Sequence, residues 1–317
     1  MASIRLSAGQ KPSRIPRLAS WSNDIKLNRY AYIMAIPVIA YYFIFHYMPM
    51  YGLIIAFKDF APAVGIWGSD WVGLQHFIDF FSSDYCLRVI RNTILISLYT
   101  LLFSFPSPII LALMINEVRN RAFKRVIQTT TYLPHFISTV VVCGMITDFS
   151  TRDGLFNQLI SLFGGEPIGF LSDPAYFRII YVASEVWQTA GWNTILYLAA
   201  LTAIDAELYD AADIDGANWW HKTCKITLPG ILPTISVLLI MKLGQMMNVG
   251  YEKIILLYNP LTYDTADVIS SFVYRRGLQE SNYSYATAVG LFNSVINFAL
   301  VIGANRLSRK LNDTGLW

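Results

Sequence analysis

The residues that could do chemistry are few, and they lie inside apolar stretches. Tyr181, Glu185, Gln188 and Trp192 recur at three- and four-residue spacing, which places them on one face of a helix, with Asn193 and Tyr197 beside it. Lys242, Gln245 and Asn248 repeat the pattern further on, as do Asn293 and Asn297. Aromatic faces combined with planar polar groups are the equipment of a saccharide contact. Polar side chains within apolar segments tend to face a bundle interior or a cavity. The same residues have plainer uses. Asn and Gln bond helices to one another, Tyr and Trp anchor at interfaces, and Glu185 and Lys242 could simply pair. At this level both uses stay open.

Catalytic groupings are absent. The four histidines, His46, His76, His135 and His221, are scattered, and neither a HExxH nor a GxSxG pattern occurs. His135, after Pro134, suits a kink better than a reaction. Cys86, Cys143 and Cys224 are too far apart for a metal site or a disulfide framework. No phosphate-cradling GxxxxGK[ST] loop is present. The expectation is a chain with no catalytic activity, no metal and no cofactor of its own.

The elements that position these residues follow from composition. Of 317 residues, 55% are hydrophobic and 14% charged, against about 25% charged in a soluble domain. A net charge of +3 implies no nucleic-acid partner. Six segments approach the roughly 20 apolar residues that cross hydrocarbon: 31–55, 92–115, 126–146, 179–201, 231–248 and 286–304. Each is expected to be helical, because unpaired backbone cannot face lipid. Pro37, Pro49, Pro106 and Pro108 predict kinks. The polar, basic residues 1–29 contain no apolar core of a cleaved signal peptide. The fold class is therefore an all-α integral membrane protein with six transmembrane helices.

Basic residues set the orientation. Arg5, Lys11, Arg14, Arg17, Lys26 and Arg29 precede the first span. Arg119, Arg121, Lys124 and Arg125 lie between the second and third, and Arg306, Arg309 and Lys310 follow the sixth. With six spans these fall on one side, so both termini are expected in the cytoplasm. The organisation becomes a basic cytoplasmic segment 1–29, a six-helix domain 30–305 and a cytoplasmic tail 306–317. The loop 205–225, on the same side, is acidic: Asp205, Glu207, Asp210, Asp213 and Asp215 stand against Lys222 and Lys225.

That loop has its own logic. Ala211 and Ala212 favour a helix, Gly216 can take a left-handed turn, and a second helix runs to Pro229, expected to end or redirect it. Trp219 and Trp220 could anchor it at the lipid surface. Asp210-Ala211-Ala212, then Gly216, then Ile226-Thr227-Leu228-Pro229 resembles the Glu-Ala-Ala loop of type I ABC importer permeases, with Asp in place of the usual Glu. Further stretches are similar to the polysaccharide-type, alginate-like subgroup: Leu257-Tyr258-Asn259-Pro260, Val273-Tyr274-Arg275-Arg276-Gly277, Ala288-Val289-Gly290-Leu291-Phe292 and Gly315-Leu316-Trp317.

The resemblance implies a permease subunit of a bacterial inner membrane that moves a sugar or oligosaccharide inward. Its loop 205–229 would couple to an ATPase dimer that binds ATP and Mg²⁺. The other implied partners are a second related permease, which completes the pathway, an extracytoplasmic solute-binding protein and membrane lipid. The competing classes are an ion-coupled carrier, with Glu185 and Lys242 as its relay, and an integral-membrane enzyme. The carrier leaves the loop 210–229 unexplained, and the enzyme lacks clustered chemistry.

Overall fold

A computed structural model describes residues 27–312. Arg5, Lys11, Arg14, Arg17 and Lys26, and the terminal Gly315-Leu316-Trp317, lie outside the described residues. The chain divides into two units, Met1–Leu53 and Ile54–Trp317.

The described part of the first unit is one helical run. Helix α1, Arg29–Tyr42, with Pro37 inside it, passes into a wide turn, Phe43–Tyr47, and then a tighter 3-10 stretch that starts at Met48. No residue of α1 is buried, which suits side chains whose solvent is hydrocarbon rather than water.

The second unit opens with a small antiparallel pair, Lys58–Asp59 against Asp70–Trp71. The Lys58 ammonium closes the intervening loop by donating to the carbonyls of Ile66 and Ser69 at 2.8 and 3.0 Å. Helix α2, Asp84–Glu117, is then interrupted at Phe105, just before Pro106. The following helices are α3, Arg121–Tyr132; α4, Thr139–Phe149; and α5, Pro174–Thr202. Next come α6, Ala206–Ile214; α7, Trp219–Gly244; α8, Tyr251–Leu257; α9, Ile269–Tyr274; and α10, Tyr283–Asn312. Local signals start several of them. Asn120 Oδ1 accepts from the N–H groups of Ala122 and Phe123 at the start of α3, and Asp173 Oδ1 accepts from Ala175 at the start of α5, where Pro174 occupies the first turn. Such caps satisfy amide donors that a helix start leaves free.

Among the described residues, four helical segments are long and apolar enough to cross a membrane: Arg29–Phe57, α2, α7 and most of α10. A bent pair makes a fifth. Three expectations need correction. The third span, 126–146, is not a straight helix: α3 and α4 meet at a 97° bend. Pro134 sits in a short 3-10 turn, Leu133–Phe136, and Ile137 and Ser138 are extended. Pro134 has no N–H for the ladder, and Ser138 caps a new helix by accepting from Val141. The fourth span needs no correction: residues 179–201 lie within a single 29-residue helix, α5, although Arg178, Glu185, Gln188 and Asn193 dilute its hydropathy and it is not among the apolar four. The fifth span ends at Gly244, short of 248, and starts at Trp219. Pro229 does not end the loop helix. The chain passes through a wide π turn, Thr223–Thr227, where Leu228 N–H reaches back to Thr223. The loosened turn just before Pro229 relieves the clash that its ring would make in an α ladder.

Three apolar clusters hold the second unit together. Ile96, Cys143, Phe177, Tyr181 and Ile254 join α2, α4, α5 and α8. Phe80, Val89, Met247, Phe272 and Val289 join a short helix, Gln75–Phe81, to α2, α9 and α10. Ala112, Tyr197, Leu201 and Ile231 join α2, α5 and α7.

Candidate permease cavity and coupling loop

The loop 205–229 is built by caps and a glycine. Asp205 Oδ1 accepts from Glu207 N–H and starts α6. At its end Gly216 takes φ +71°. Ala217 N–H donates to Ala212 O at 2.9 Å, and Gly216 N–H to Asp213 O at 3.1 Å. This paired pattern is the Schellman closure, which needs a left-handed residue where the glycine stands. Asn218 Oδ1 then accepts from His221 N–H and starts α7. Two ties hold the helices together: Asp213 to Lys222 at 2.7 Å and Tyr209 Oη to Thr227 Oγ1 at 2.9 Å.

Asp210, Ala211 and Gly216 are exposed, Ala212, Ile226 and Leu228 half-buried, and Pro229 exposed. The tip is open, with Ile214 88% exposed between the exposed carboxylates of Asp213 and Asp215. Trp219 and Trp220 pack on each other with ring centroids 5.7 Å apart. Arg119, from the basic turn before α3, and Tyr209, Trp219 and Lys222 line one cavity of about 310 Å³. That places the basic turn and the acidic loop at the same end of the helices.

Deeper in, α7 gives way to unwound backbone over residues 245–250. At membrane depth such backbone is tolerated where protein buries it or where it lines a cavity, and both hold here. Ser97 Oγ donates to Met246 O, and Ser270 Oγ to Val249 O at 2.8 Å. Asn297 Oδ1 accepts from Met247 N–H at 3.0 Å. A cavity of about 90 Å³ lies against the segment, lined in part by Ser97, Thr100, Glu185, Lys242, Gln245 and Asn248. A second hollow of about 220 Å³ shares Lys242 and Gln245 and adds Ser104, Asn193 and Tyr197.

The polar residues singled out by spacing therefore separate. Glu185, Asn193, Lys242, Gln245 and Asn248 meet on the cavity walls, and Tyr197 touches one wall from the third apolar cluster. Gln188 is buried and donates to Ile137 O at 3.2 Å, the carbonyl that the α3–α4 bend leaves without a helical partner. Trp192 stacks flat on His135, centroids 4.6 Å apart. Asn293 and Asn297 both donate to Asn248 Oδ1, at 2.9 and 3.1 Å, and so bind α10 to the unwound segment. Neither Gln188, Trp192 nor the two α10 asparagines line the two cavities.

Glu185 does not pair with Lys242. Its carboxylate holds Lys253 Nζ at 2.8 Å, and Lys253 is buried at 5% exposure. No spacing rule could have found a partner 68 residues away on α8. A second buried cluster also escaped pattern reading. Asp267, 0% exposed, meets Arg275 at 2.6 Å and Arg88 at 3.5 Å, and accepts from Ser271 Oγ at 2.8 Å. Burial works against the Arg275 charge, but the hydrogen bond and negative charge of Asp267 outweigh it and raise the guanidinium pKa above its ordinary value. Asn92, bonded to the carbonyls of Asp264 and Asp267 and to Arg178, ties this cluster to α2 and α5.

Comparison with known proteins places this arrangement. Residues 104–313 match the family model described as binding-protein-dependent transport system inner membrane component. The chain is 45% identical to Protein LplB of Bacillus subtilis (strain 168) over 299 residues, which is 94% of each chain. It is 43% identical to the polygalacturonan/rhamnogalacturonan transport system permease protein YteP of the same organism, over 91% of this chain and 90% of that one. Among solved structures, it is similar to a chain of a bacterial ABC transporter involved in the import of the acidic polysaccharide alginate. That match has 45% identity and a TM-score of 0.86, covering 92% of this chain and 99% of that one. A chain of the bacterial alginate transporter in complex with alginate pentasaccharide-bound periplasmic protein gives 45% identity and a TM-score of 0.87, over 95% and 100%. The chain belongs to the family of binding-protein-dependent transport system inner membrane components, and it is a multi-pass permease of the bacterial inner membrane rather than an enzyme.

Proposed function

We propose that this permease carries a saccharide inward, and that loop 205–229 receives the stroke of a separate ATPase dimer, which holds ATP and Mg²⁺. One observation supports the coupling above others. The loop's exposed tip adjoins α7, and α7 continues through its π turn from Trp219 beside the loop to Gly244 beside Lys242 and Gln245. A push on the loop would reach the cavity wall along one continuous helical element, which is how gating motions pass through packed helices. The saccharide cargo is supported by the named substrates of the similar systems and by the amide, carboxylate and ammonium groups on the walls.

The full reading has six spans, with α5 as the fourth and the bent α3–α4 pair as the third. Both termini, residues 1–29 and 306–317, lie in the cytoplasm, and the span domain is 30–305. The basic turn beside the acidic loop favours this orientation. The coupling residues are Asp210, Ala211, Ala212, Gly216, Ile226, Leu228 and Pro229. A second related permease supplies the opposite wall, and an extracytoplasmic binding protein delivers the cargo.

Mild-detergent purification of the tagged chain from its native membrane, followed by mass spectrometry, tests this assembly. A co-purifying P-loop ATPase and a second permease are expected. A chain that stays alone and monodisperse across several detergents would overturn the assembly. Reporter fusions after residues 120 and 217 should both read cytoplasmic, and opposite readings would overturn the topology.

A further inference from the structure

The cavity beside the unwound segment has an unbalanced charge. Glu185 and Lys242 both line it, and from sequence alone they cancel. In the fold they do not, because the Glu185 carboxylate is engaged at 2.8 Å by Lys253. Lys253 comes from α8, and it is not itself on the cavity wall. Among the described residues no carboxylate lies within ion-pair distance of Lys242. One wall therefore carries a formal positive charge, flanked by the amides of Gln245 and Asn248. An ammonium at membrane depth is costly without an anion or water to receive it, and charge interactions strengthen where water is scarce.

We propose that Lys242 is an anion subsite on the translocation path, that Lys253 is the positioning residue that leaves its charge uncancelled by occupying Glu185, and that the saccharide segment meeting it carries a carboxylate. The subsite rests on the saccharide-permease reading. An ammonium beside two amides suits a uronate, with one anionic oxygen pair and neighbouring hydroxyls, better than a neutral hexose, which would leave the lysine without a counter-charge.

The test uses the complete importer, with its binding protein, in proteoliposomes containing ATP. Uptake of a panel of oligouronates is compared with uptake of the same chains after carboxyl reduction. The expected result is uptake of an oligouronate in preference to its reduced form, a KM raised at least tenfold by Lys242→Gln, and rescue by Lys242→Arg. Lys253→Met should impair uronate uptake, because it frees Glu185 to face the cavity. Glu185→Gln combined with Lys253→Met should restore it, since that pair of changes again leaves Lys242 as the uncancelled charge. A structural pair would also be relieved by the double change, so the deciding readout is charge: the KM for the uronate, and not that for its reduced form, should follow these substitutions.

A readout independent of cargo guards against misfolding. Gln245→Cys, with Cys86, Cys143 and Cys224 replaced by Ser, should react faster with an anionic than with a cationic methanethiosulfonate, and Lys242→Gln should abolish the preference. Equal transport of reduced and uronate chains, with a reagent preference indifferent to Lys242, overturns the subsite and leaves the saccharide reading standing. Transport of a non-carbohydrate solute, with no saccharide of either charge moved, overturns both.

Discussion

Gly191 of α5 faces the Thr131 carbonyl so closely that a Cβ built at 191 would fall 1.9 Å from its oxygen. Thr131 lies in the last turn of α3, just before the bend. The two helices cross with backbone against backbone, the contact that small residues permit between membrane helices. Gly191→Ala therefore cannot be absorbed by a rotamer change. It should cost about 3 kcal/mol, the upper end of ordinary overpacking. A thermal-shift series in detergent would show a large fall in Tm or no folded protein, and a Tm equal to the parent's would disprove the close crossing.

Gly216 is a different case, because nothing lies within 4 Å of a Cβ there. The penalty comes only from its φ of +71°. Left-handed backbone costs a residue with a Cβ about 1–2 kcal/mol, and Asn less. Gly216→Val should leave insertion intact and uncouple ATP hydrolysis from uptake by distorting the loop. Gly216→Asn should retain most uptake. Equal uptake in both variants would show that the left-handed turn is dispensable.

Buried and exposed ion pairs should behave unequally. Asp267→Ala leaves Arg275 and Arg88 facing a void, and removing one partner of a buried pair costs about 3–5 kcal/mol. Asp213→Ala breaks the exposed pair to Lys222, where the loss is about 0–1 kcal/mol. Denaturation midpoints of the two variants should be far apart, and similar midpoints would contradict the burial of Asp267.

Gln188→Leu should lower stability by about 1–3 kcal/mol, the cost of stranding the Ile137 carbonyl. The KM for the transported solute should not move. A raised KM at unchanged Tm would return Gln188 to the pathway.

Much of the architecture can be read along the chain, because it depends on local rules. Apolar length marks the membrane segments, and Gly216 marks a helix end that forms with the expected left-handed dihedral; the caps at Asp205 and Asn218 obey an equally local rule. The α3–α4 bend is only hinted at by Pro134, since proline can kink a membrane helix mildly or break it. The partners that decide the cavity are beyond any periodicity. Helical spacing puts Glu185, Gln188 and Trp192 on one face correctly, yet they do three different things. Glu185 meets α8, Gln188 meets the bend, and Trp192 meets His135. Asn293 and Asn297 share a face as spacing requires, and their common target Asn248 makes them ties between helices. Periodicity says which side chains look the same way. Only the packing of distant segments says what they see.

The π turn at Thr223–Thr227 sets a phase. An α helix advances about 100° per residue, so one extra residue in a turn rotates all that follows by about that angle relative to all that precedes. Loop and cavity are joined through this turn. With a regular α turn there, the loop face and the Lys242–Gln245 face of α7 would be out of step by roughly a quarter of a revolution. The inserted residue thus acts as a vernier, fixing the rotational register between the loop at one end of α7 and the Lys242 face at the other.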